Sequence, residues 1–267
     1  MDRLPTNRLE DKVVIITGAG DGLGEVMAHL FAREGAHLTL AGRRTELLEG
    51  VAAAVRANGA RAIARTTDVT DEAAVIAMVA DTVAEYGRVD VMCNNAAQPG
   101  KDLHIWDQTL ENWNATIAVD VTAAMLCSRE VVRQSMRERQ SGSIVNFSST
   151  AGLEGIERKS HYSTAKAGLR TLTKVVAKEV GPYGIRVNCL VPGGIQTDLL
   201  RNYWRRLAEE QGVTWEDIRD KGARSTALRR IATPEEIANV ALFLASDESS
   251  AITGQSIVAD CGSQMPG

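Results

Sequence analysis

The chain has 267 residues, with 30 lysines and arginines against 34 aspartates and glutamates, and its formal net charge of −4 gives no electrostatic reason to bind nucleic acid. Hydrophobic residues make up 44% and charged residues 24%, the balance of a soluble globular protein, and no run of about 18 apolar residues offers a membrane span. The cysteines Cys93, Cys127, Cys189 and Cys261 are widely spaced without a Cys-x-x-Cys pair and the histidines are scattered, so no metal site is expected.

The opening Met1-Asp2-Arg3-Leu4-Pro5 lacks an apolar secretory core, and a cytoplasmic location is expected. Residues 13–17, Val-Val-Ile-Ile-Thr, form a β-branched run of the kind buried on both faces of a parallel sheet. It stops at glycine. The next segment carries Met27, Leu30 and Phe31 at helical spacing, Gly35-Ala36 turns the chain, and Leu38-Thr39-Leu40 gives a second strand, completing a βαβ unit. Leu47, Val51 and Val55 predict the following helix, and Ala62-Ile63-Ala64 the third strand. Val75, Val79 and Val83 mark a helix that Thr70 or Asp71 would cap. The alternation continues with a strand over 89–93 and a long helix over about 110–136, whose stripe is Trp113, Ile117 and Val121. A strand over 143–147, the helix bearing Tyr162 and a strand over 186–190 follow. Thr233-Pro234-Glu235-Glu236 reads as a capping box with proline at the first helical position, opening a helix that buries Ile237, Val240, Ala241 and Leu244 before a last strand over 255–259. Strands and helices alternating without repeats predict one α/β domain over 1–267, a doubly wound parallel sheet of about seven strands covered by helices on both faces.

One segment interrupts the alternation. Between Pro192 and Thr233 there is no strand signal, but Leu199, Leu200, Tyr203, Trp204 and Leu207 make a helical stripe, followed by Trp215 and Ile218. This insertion, at about 194–230, reads either as a lid over a substrate or as a surface helix pair. Its Arg201, Arg205 and Arg206 form either a solvated charged face or a contact for an anionic substrate.

Three features carry chemistry. Thr17-Gly18-Ala19-Gly20-Asp21-Gly22-Leu23-Gly24 joins the first strand to the first helix, with its glycines spaced G-x-x-x-G-x-G rather than G-x-G-x-x-G. Glycines let the backbone approach a pyrophosphate, and free amides at the helix start bind the anion. At the end of the second strand, Gly42-Arg43-Arg44 offers guanidiniums where an acid would bond a ribose 2′-hydroxyl, which favours NADP(H) over NAD(H), while Asp21 would repel an added phosphate. Finally, Tyr162 and Lys166 stand four residues apart on a predicted helix, about 5–6 Å between Cβ atoms, so the ammonium can stabilise a phenolate; Ser149, thirteen residues earlier, adds a hydroxyl donor.

The order of Thr17-Gly18-x-x-x-Gly22-x-Gly24, Asn94-Asn95-Ala96-Ala97, Ser149, Tyr162-x-x-x-Lys166 and Pro192-Gly193 resembles the short-chain dehydrogenase/reductase family, of the 3-oxoacyl carrier-protein reductase-like kind, over 9–262. The resemblance implies a Rossmann-type fold, a homotetramer and an oxidoreductase that interconverts a small secondary alcohol and a ketone with NADP(H), or alternatively NAD(H). It gives Tyr162 the role of general acid/base, Lys166 that of bonding the nicotinamide ribose and lowering the tyrosine pKa, and Ser149 that of holding the reacting oxygen. It places Gly18, Asp21, Gly22, Leu23, Gly24 and Arg43 around the cofactor phosphates, Asp68 and Val69 at the adenine, and the segment with Asn94, Asn95 and Ala96 at the adenosine ribose. Pro192, Gly193, Ile195 and Thr197 fall near the nicotinamide. The chain departs from the family pattern at Asp120, where asparagine is common, at Ala97, where glycine is commoner, and at Cys261. An ionised Asp120 would raise the pKa of Lys166, and catalysis is expected to survive the change. His161 is expected to be structural. The rival reading is a regulatory protein on the same fold that binds NAD(P) without turnover.

Overall fold

The computed structural model describes residues 6–265. Seven parallel strands form one sheet in the order β3-β2-β1-β4-β5-β6-β7. They are β1 (Val13–Thr17), β2 (His37–Gly42), β3 (Ala62–Thr66), β4 (Val91–Asn94), β5 (Gly142–Phe147), β6 (Ile185–Pro192) and β7 (Ser256–Ala259). Successive side chains of a strand point to opposite faces, and β1 divides accordingly: Val14 and Ile16 join one core, Ile15 the other. The first core takes Met27 and Phe31 from α1 (Gly22–Arg33), Leu48, Val51 and Val55 from α2 (Thr45–Ala57), and Ile237, Ala241 and Leu244 from α10 (Pro234–Ala245). The second takes Val75 and Met78 from α3 (Glu72–Tyr86), Leu126 and Val131 from α5 (Ala123–Val131), and Ala177 and Val180 from α7 (Ser160–Val180). Burying a Leu, Val or Phe here contributes about 1.5–3 kcal/mol, and these residues hold the helices to both faces. Among the described residues, no helix is long and apolar enough to cross a membrane.

Two expectations shift in detail, and one open choice, the cap of α3, is settled. Leu48, not Leu47, is the core residue of α2, because Leu48, Val51, Ala52 and Val55 share one face while Leu47 is 41% exposed. Asp71 rather than Thr70 caps α3, its carboxylate accepting from the amides of Ala73 and Ala74. The long helix covers 110–139, but as three α segments, α4 (Leu110–Ile117), α5 and α6 (Arg137–Arg139), separated by π turns at Ala118–Thr122 and Val132–Met136. The wider turns rotate Thr116 and Asp120 into the interior, leaving Trp113, Ile117 and Val121 only half-buried. The capping box at Thr233 forms as expected, with the Thr233 hydroxyl and the Glu236 carboxylate each accepting from the other's backbone amide.

Asp90 ties the edge of this frame together. Its carboxylate accepts from the Val13 amide, Arg88 Nε and Arg139 Nη2, each at 2.8 Å. Burial alone would raise its pKa, but these donors outweigh burial and hold it below 3.8. The folded pKa is therefore the depressed one, so Asp90's stabilisation is complete above the unfolded value and is lost as pH falls through the folded value. Thermal unfolding of wild type and Asp90→Asn as a function of pH checks this: the gap between them should narrow on acidification below about pH 4.

Candidate active site

The residues expected to meet a cofactor lie at the carboxyl ends of β1 to β6, along the crevice where the strand order reverses between β1 and β4. Gly18 and Gly22 have φ of +67° and +57°, a region that disfavours side chains, and a Cβ on Gly24 would come within 2.1 Å of the Gly18 carbonyl oxygen. The glycines thus let α1 start directly against the loop. Asp21 sits at its N-cap yet makes no side-chain cap bond, so the first-turn amides keep their anion-binding capacity. Leu23 packs on the core beneath.

Thr17 locks this loop to the neighbouring strand end. Its hydroxyl donates to the Cys93 carbonyl at 3.2 Å and accepts from the amides of Asn95 and Ala96, both at 3.1 Å. The Asn95 side chain donates back to the carbonyls of Thr17 and Gly18 at 2.9 and 3.3 Å. Asn94 instead points into the sheet, donating to Asn146 at 2.8 Å. Farther along the crevice, Asp68 accepts from the Thr70 hydroxyl and amide at 2.7 and 2.9 Å, and these bonds hold its carboxyl below the usual range. Val69 is buried beside it, facing a small cavity that Ala96 and Asp120 also line. At the end of β6, a Cβ on Gly193 would meet Asp260 Cβ at 2.7 Å; Ile195 forms a bridge to Ala232, and Thr197 caps α8 (Asp198–Gln211).

Ser149, Tyr162, Lys166 and Asp120 come together although they arise from three elements. Ser149 follows β5, its hydroxyl accepting from the Ala151 amide at 3.2 Å and lying close enough to the Tyr162 phenol to work against burial on its pKa. Lys166 lies one turn beyond Tyr162 on α7, 5.5 Å from the Tyr162 ring centroid, and donates to the Phe147 carbonyl at 2.9 Å. Gly152 permits this approach, since a Cβ there would come within 2.6 Å of the Lys166 carbonyl carbon. Asp120 enters from the π turn of the long helix: Oδ1 accepts from the Gln98 amide at 2.8 Å and lies 3.8 Å from Lys166 Nζ, while Oδ2 is buried with no partner. π turns are rare and recur at functional sites.

Charge follows from this geometry. Burial raises the Asp120 carboxyl, against the pull of Lys166 and of the Gln98 amide. Burial works to lower Lys166, but Asp120 and Tyr162 outweigh it and the ammonium is held more firmly than usual. Burial also raises Tyr162; Lys166 and the Ser149 hydroxyl oppose it, and Asp120 adds to it. His161 adds a smaller downward pull on Asp120 and is otherwise structural. It is fully buried, Nε2 bonding the Pro99 carbonyl at 3.0 Å and Nδ1 the Gln108 amide at 2.8 Å, so it fixes the loop after β4.

In the comparison with known proteins, a family model described as enoyl-(acyl carrier protein) reductase matches residues 18–264. The chain belongs to the short-chain dehydrogenase/reductase family. Among relatives in this family, meso-2,3-butanediol dehydrogenase of Serratia marcescens is 36% identical over 96% of this chain and 95% of its own. Levodione reductase of Leifsonia aquatica is 36% identical over 97% and 96%. A crystal structure of levodione reductase superposes with a TM-score of 0.89 at 35% identity, covering 95% of this chain and 97% of that one. NAD+-bound xylitol dehydrogenase gives 0.89 at 31% identity, covering 95% and 99%.

Within this short-chain dehydrogenase/reductase frame, sequence reasoning missed several contacts. Arg44 pairs with Asp21 at 2.7 Å, so the loop carboxylate is offset by one of the two arginines, while Arg43 stays exposed. The Gln98 amide that fixes Asp120 had no sequence signal. Nor did the π turn have one, because the four-residue spacing of Trp113, Ile117 and Val121 recurs at Val75, Val79 and Val83 in the uninterrupted α3. The insertion is the helix pair α8 and α9 (Trp215–Arg224). Trp204 anchors it, being 8% exposed. Of its arginines, Arg201 and Arg205 bond their own helix at Asp198 and Asn202, whereas Arg206 reaches Asp102.

Proposed function

We propose that the protein interconverts a secondary alcohol and a ketone, with Tyr162 as general acid/base and NADP(H) as preferred cofactor, NAD(H) being the alternative. The observation that carries this is the convergence of the Ser149 hydroxyl, the Tyr162 phenol and the Lys166 ammonium at the same carboxyl-end side of the sheet as the glycine loop. The residues fit a dinucleotide. The uncapped start of α1 and open space at Gly22 suit its pyrophosphate, and Asp68 with Val69, the Asn95-Ala96 segment, and Pro192, Gly193, Ile195 and Thr197 line the rest of its path. When bound, the nicotinamide accepts or supplies the hydride.

The protein's own residues handle the proton and the oxygen. Ser149 orients the reacting oxygen and donates to the charge that develops there. Tyr162 takes the hydroxyl proton as an alcohol becomes a ketone, and returns it in reduction. An unassisted phenol near pKa 10 does this poorly at neutral pH, so the adjacent Lys166 ammonium, which favours the phenolate, is required. Asp120 acts through Lys166 by holding its charge. The helix pair at 194–230 serves as the lid over the substrate, supported by its attachment to the loop after β4 through Arg206 and Asp102. A homotetramer belongs to the same reading, supported by exposed Met125 on α5 and Val175 on α7.

Oxidation and reduction of a panel of alcohols and ketones, followed by nicotinamide absorbance with both cofactors, tests the activity. Turnover of at least one member is expected; none with either cofactor would leave the regulatory reading. For cofactor choice, Arg43 is the guanidinium left to meet a 2′-phosphate. Arg43→Ala should raise KM for NADP(H) about tenfold, the loss of a charge-assisted contact, with KM for NAD(H) nearly constant. Equal effects on both would reassign Arg43.

A further inference from the structure

Three segments distant in sequence meet beside the Tyr162 ring: the loop after β4, the turn before α7, and α8. Asp102 of the first accepts Lys159 Nζ at 2.9 Å and Arg206 Nη2 at 2.5 Å. Arg158 donates from Nη2 to the Asp102 carbonyl and pairs through Nη1 with Glu210, both at 3.3 Å. Tyr203 lies among them, its ring centroid 4.5 Å from Lys159 Nζ and 5.3 Å from the Arg206 guanidinium carbon. Lys159 Nζ also stands 5.9 Å from the Tyr162 ring centroid, and the side chains of Lys159 and Asp102 are only 15% and 11% exposed.

The charges in this ring do not balance. Arg158, Lys159 and Arg206 face Asp102 and Glu210, and among the described residues these three cations meet no other carboxylate within 4.0 Å. Asp102 is shared between two cations and can offset only one of them. Arg158 is further under-satisfied: its Nε is buried with no hydrogen-bond partner, and its backbone is held at φ of +67°, where non-glycine residues are uncommon. Lys159 and Asp102 are mostly buried whereas the Arg158 and Arg206 side chains are 38% and 52% exposed, so the surplus charge sits at a half-open rim where an incoming anion can reach it and relieve the repulsion. The surplus also sits within reach of a molecule whose reacting oxygen rests on Tyr162 and Ser149.

We propose that the substrate is an oxo acid or hydroxy acid, its carboxylate bound by the cationic ring of Lys159, Arg206 and Arg158 while its carbonyl or hydroxyl meets Tyr162. The proposal rests on the oxidoreductase reading above. Lys159 and Arg206 are then specificity-determining residues, and Asp102 is the counter-ion that keeps them in place before substrate arrives. Tyr203 forms the apolar floor between them. Of the three arginines noted on the insertion, only Arg206 takes this role.

The test compares open-chain and cyclic oxo-carboxylates with their methyl esters, using the full-length protein and NADPH or NADH. Wild type should favour the acid over its ester by roughly 10- to 100-fold in kcat/KM, the range expected for one charge-assisted contact in a half-buried site. Lys159→Met, which keeps the stem against Tyr203, should collapse that ratio toward one, mainly through KM for the acids. Arg206→Gln should lower it in the same direction and serves where the first variant folds poorly. Esters turned over as well as, or better than, their acids by wild type would overturn the inference and leave the oxidoreductase reading standing. No turnover of acid or ester would overturn the inference, and the alcohol and ketone panel above would then decide the oxidoreductase reading separately. An acid preference unchanged in both variants would also overturn it, by placing the anion elsewhere.

Discussion

Tyr162→Phe should bind nicotinamide cofactor as wild type does and lose turnover by about 10² to 10⁴-fold, the range that general acid/base catalysis contributes. The expectation follows from what the substitution removes. Phenylalanine keeps the ring beside Lys166, whose Nζ is 5.5 Å from its centroid, and leaves the glycine loop and the Asn95-Ala96 clamp untouched. It deletes only the phenol oxygen beside Ser149, the atom proposed to carry the proton. Cofactor fluorescence titration alongside steady-state rates separates the two effects. A variant that retained more than a tenth of wild-type turnover would assign the proton to another group, whereas a wild type with no turnover on any substrate would favour the regulatory reading.

Replacing Asp120 should divide into two outcomes according to whether the partner of Lys166 is deleted or only neutralised. Asp120→Ala leaves the Lys166 ammonium buried without its carboxylate and frees the Gln98 amide, and breaking one side of a buried pair costs about 3–5 kcal/mol. Urea or thermal unfolding measures that loss; a change below about 1 kcal/mol would show that the pair is not a stabilising contact. Asp120→Asn keeps a hydrogen-bonding side chain and removes the charge. Asp120 works to raise Tyr162, so without it the alkaline-favoured oxidation of alcohol should begin at lower pH. Turnover at neutral pH should stay within roughly tenfold of wild type, one pKa unit's worth. A many-fold larger gain would mean that aspartate is a poor substitute at this position. A pH profile that did not move would make Asp120 a purely structural residue.

Much of the frame is legible in local sequence. The β-branched run at 13–17 can bury both faces only inside a parallel sheet, and the positive φ of Gly18 and Gly22 is a demand that their residue type announces. Ser149 and the Tyr162–Lys166 pair were readable as a group because four residues on a helix are neighbours and a serine at the end of β5 shares the same sheet edge. The details that periodicity misjudged, Leu47 for Leu48 and an unbroken helix for one with two π turns, concern register. A shift of about 100° per residue there is decided by packing against the sheet.

What the sequence by itself determined is therefore the alternation of elements, the glycine loop and the pairing of Tyr162 with Lys166, since each depends on side chains within a few positions of one another. Tertiary structure decided which charges meet. Asp120 reaches Lys166 only because a π turn rotates it inward, Arg44 offsets Asp21 across the mouth of the glycine loop, and Arg206 closes on Asp102 across a separation of 104 residues. Electrostatic pairing depends on distance and burial in space, and neither is encoded in the spacing of residues along the chain.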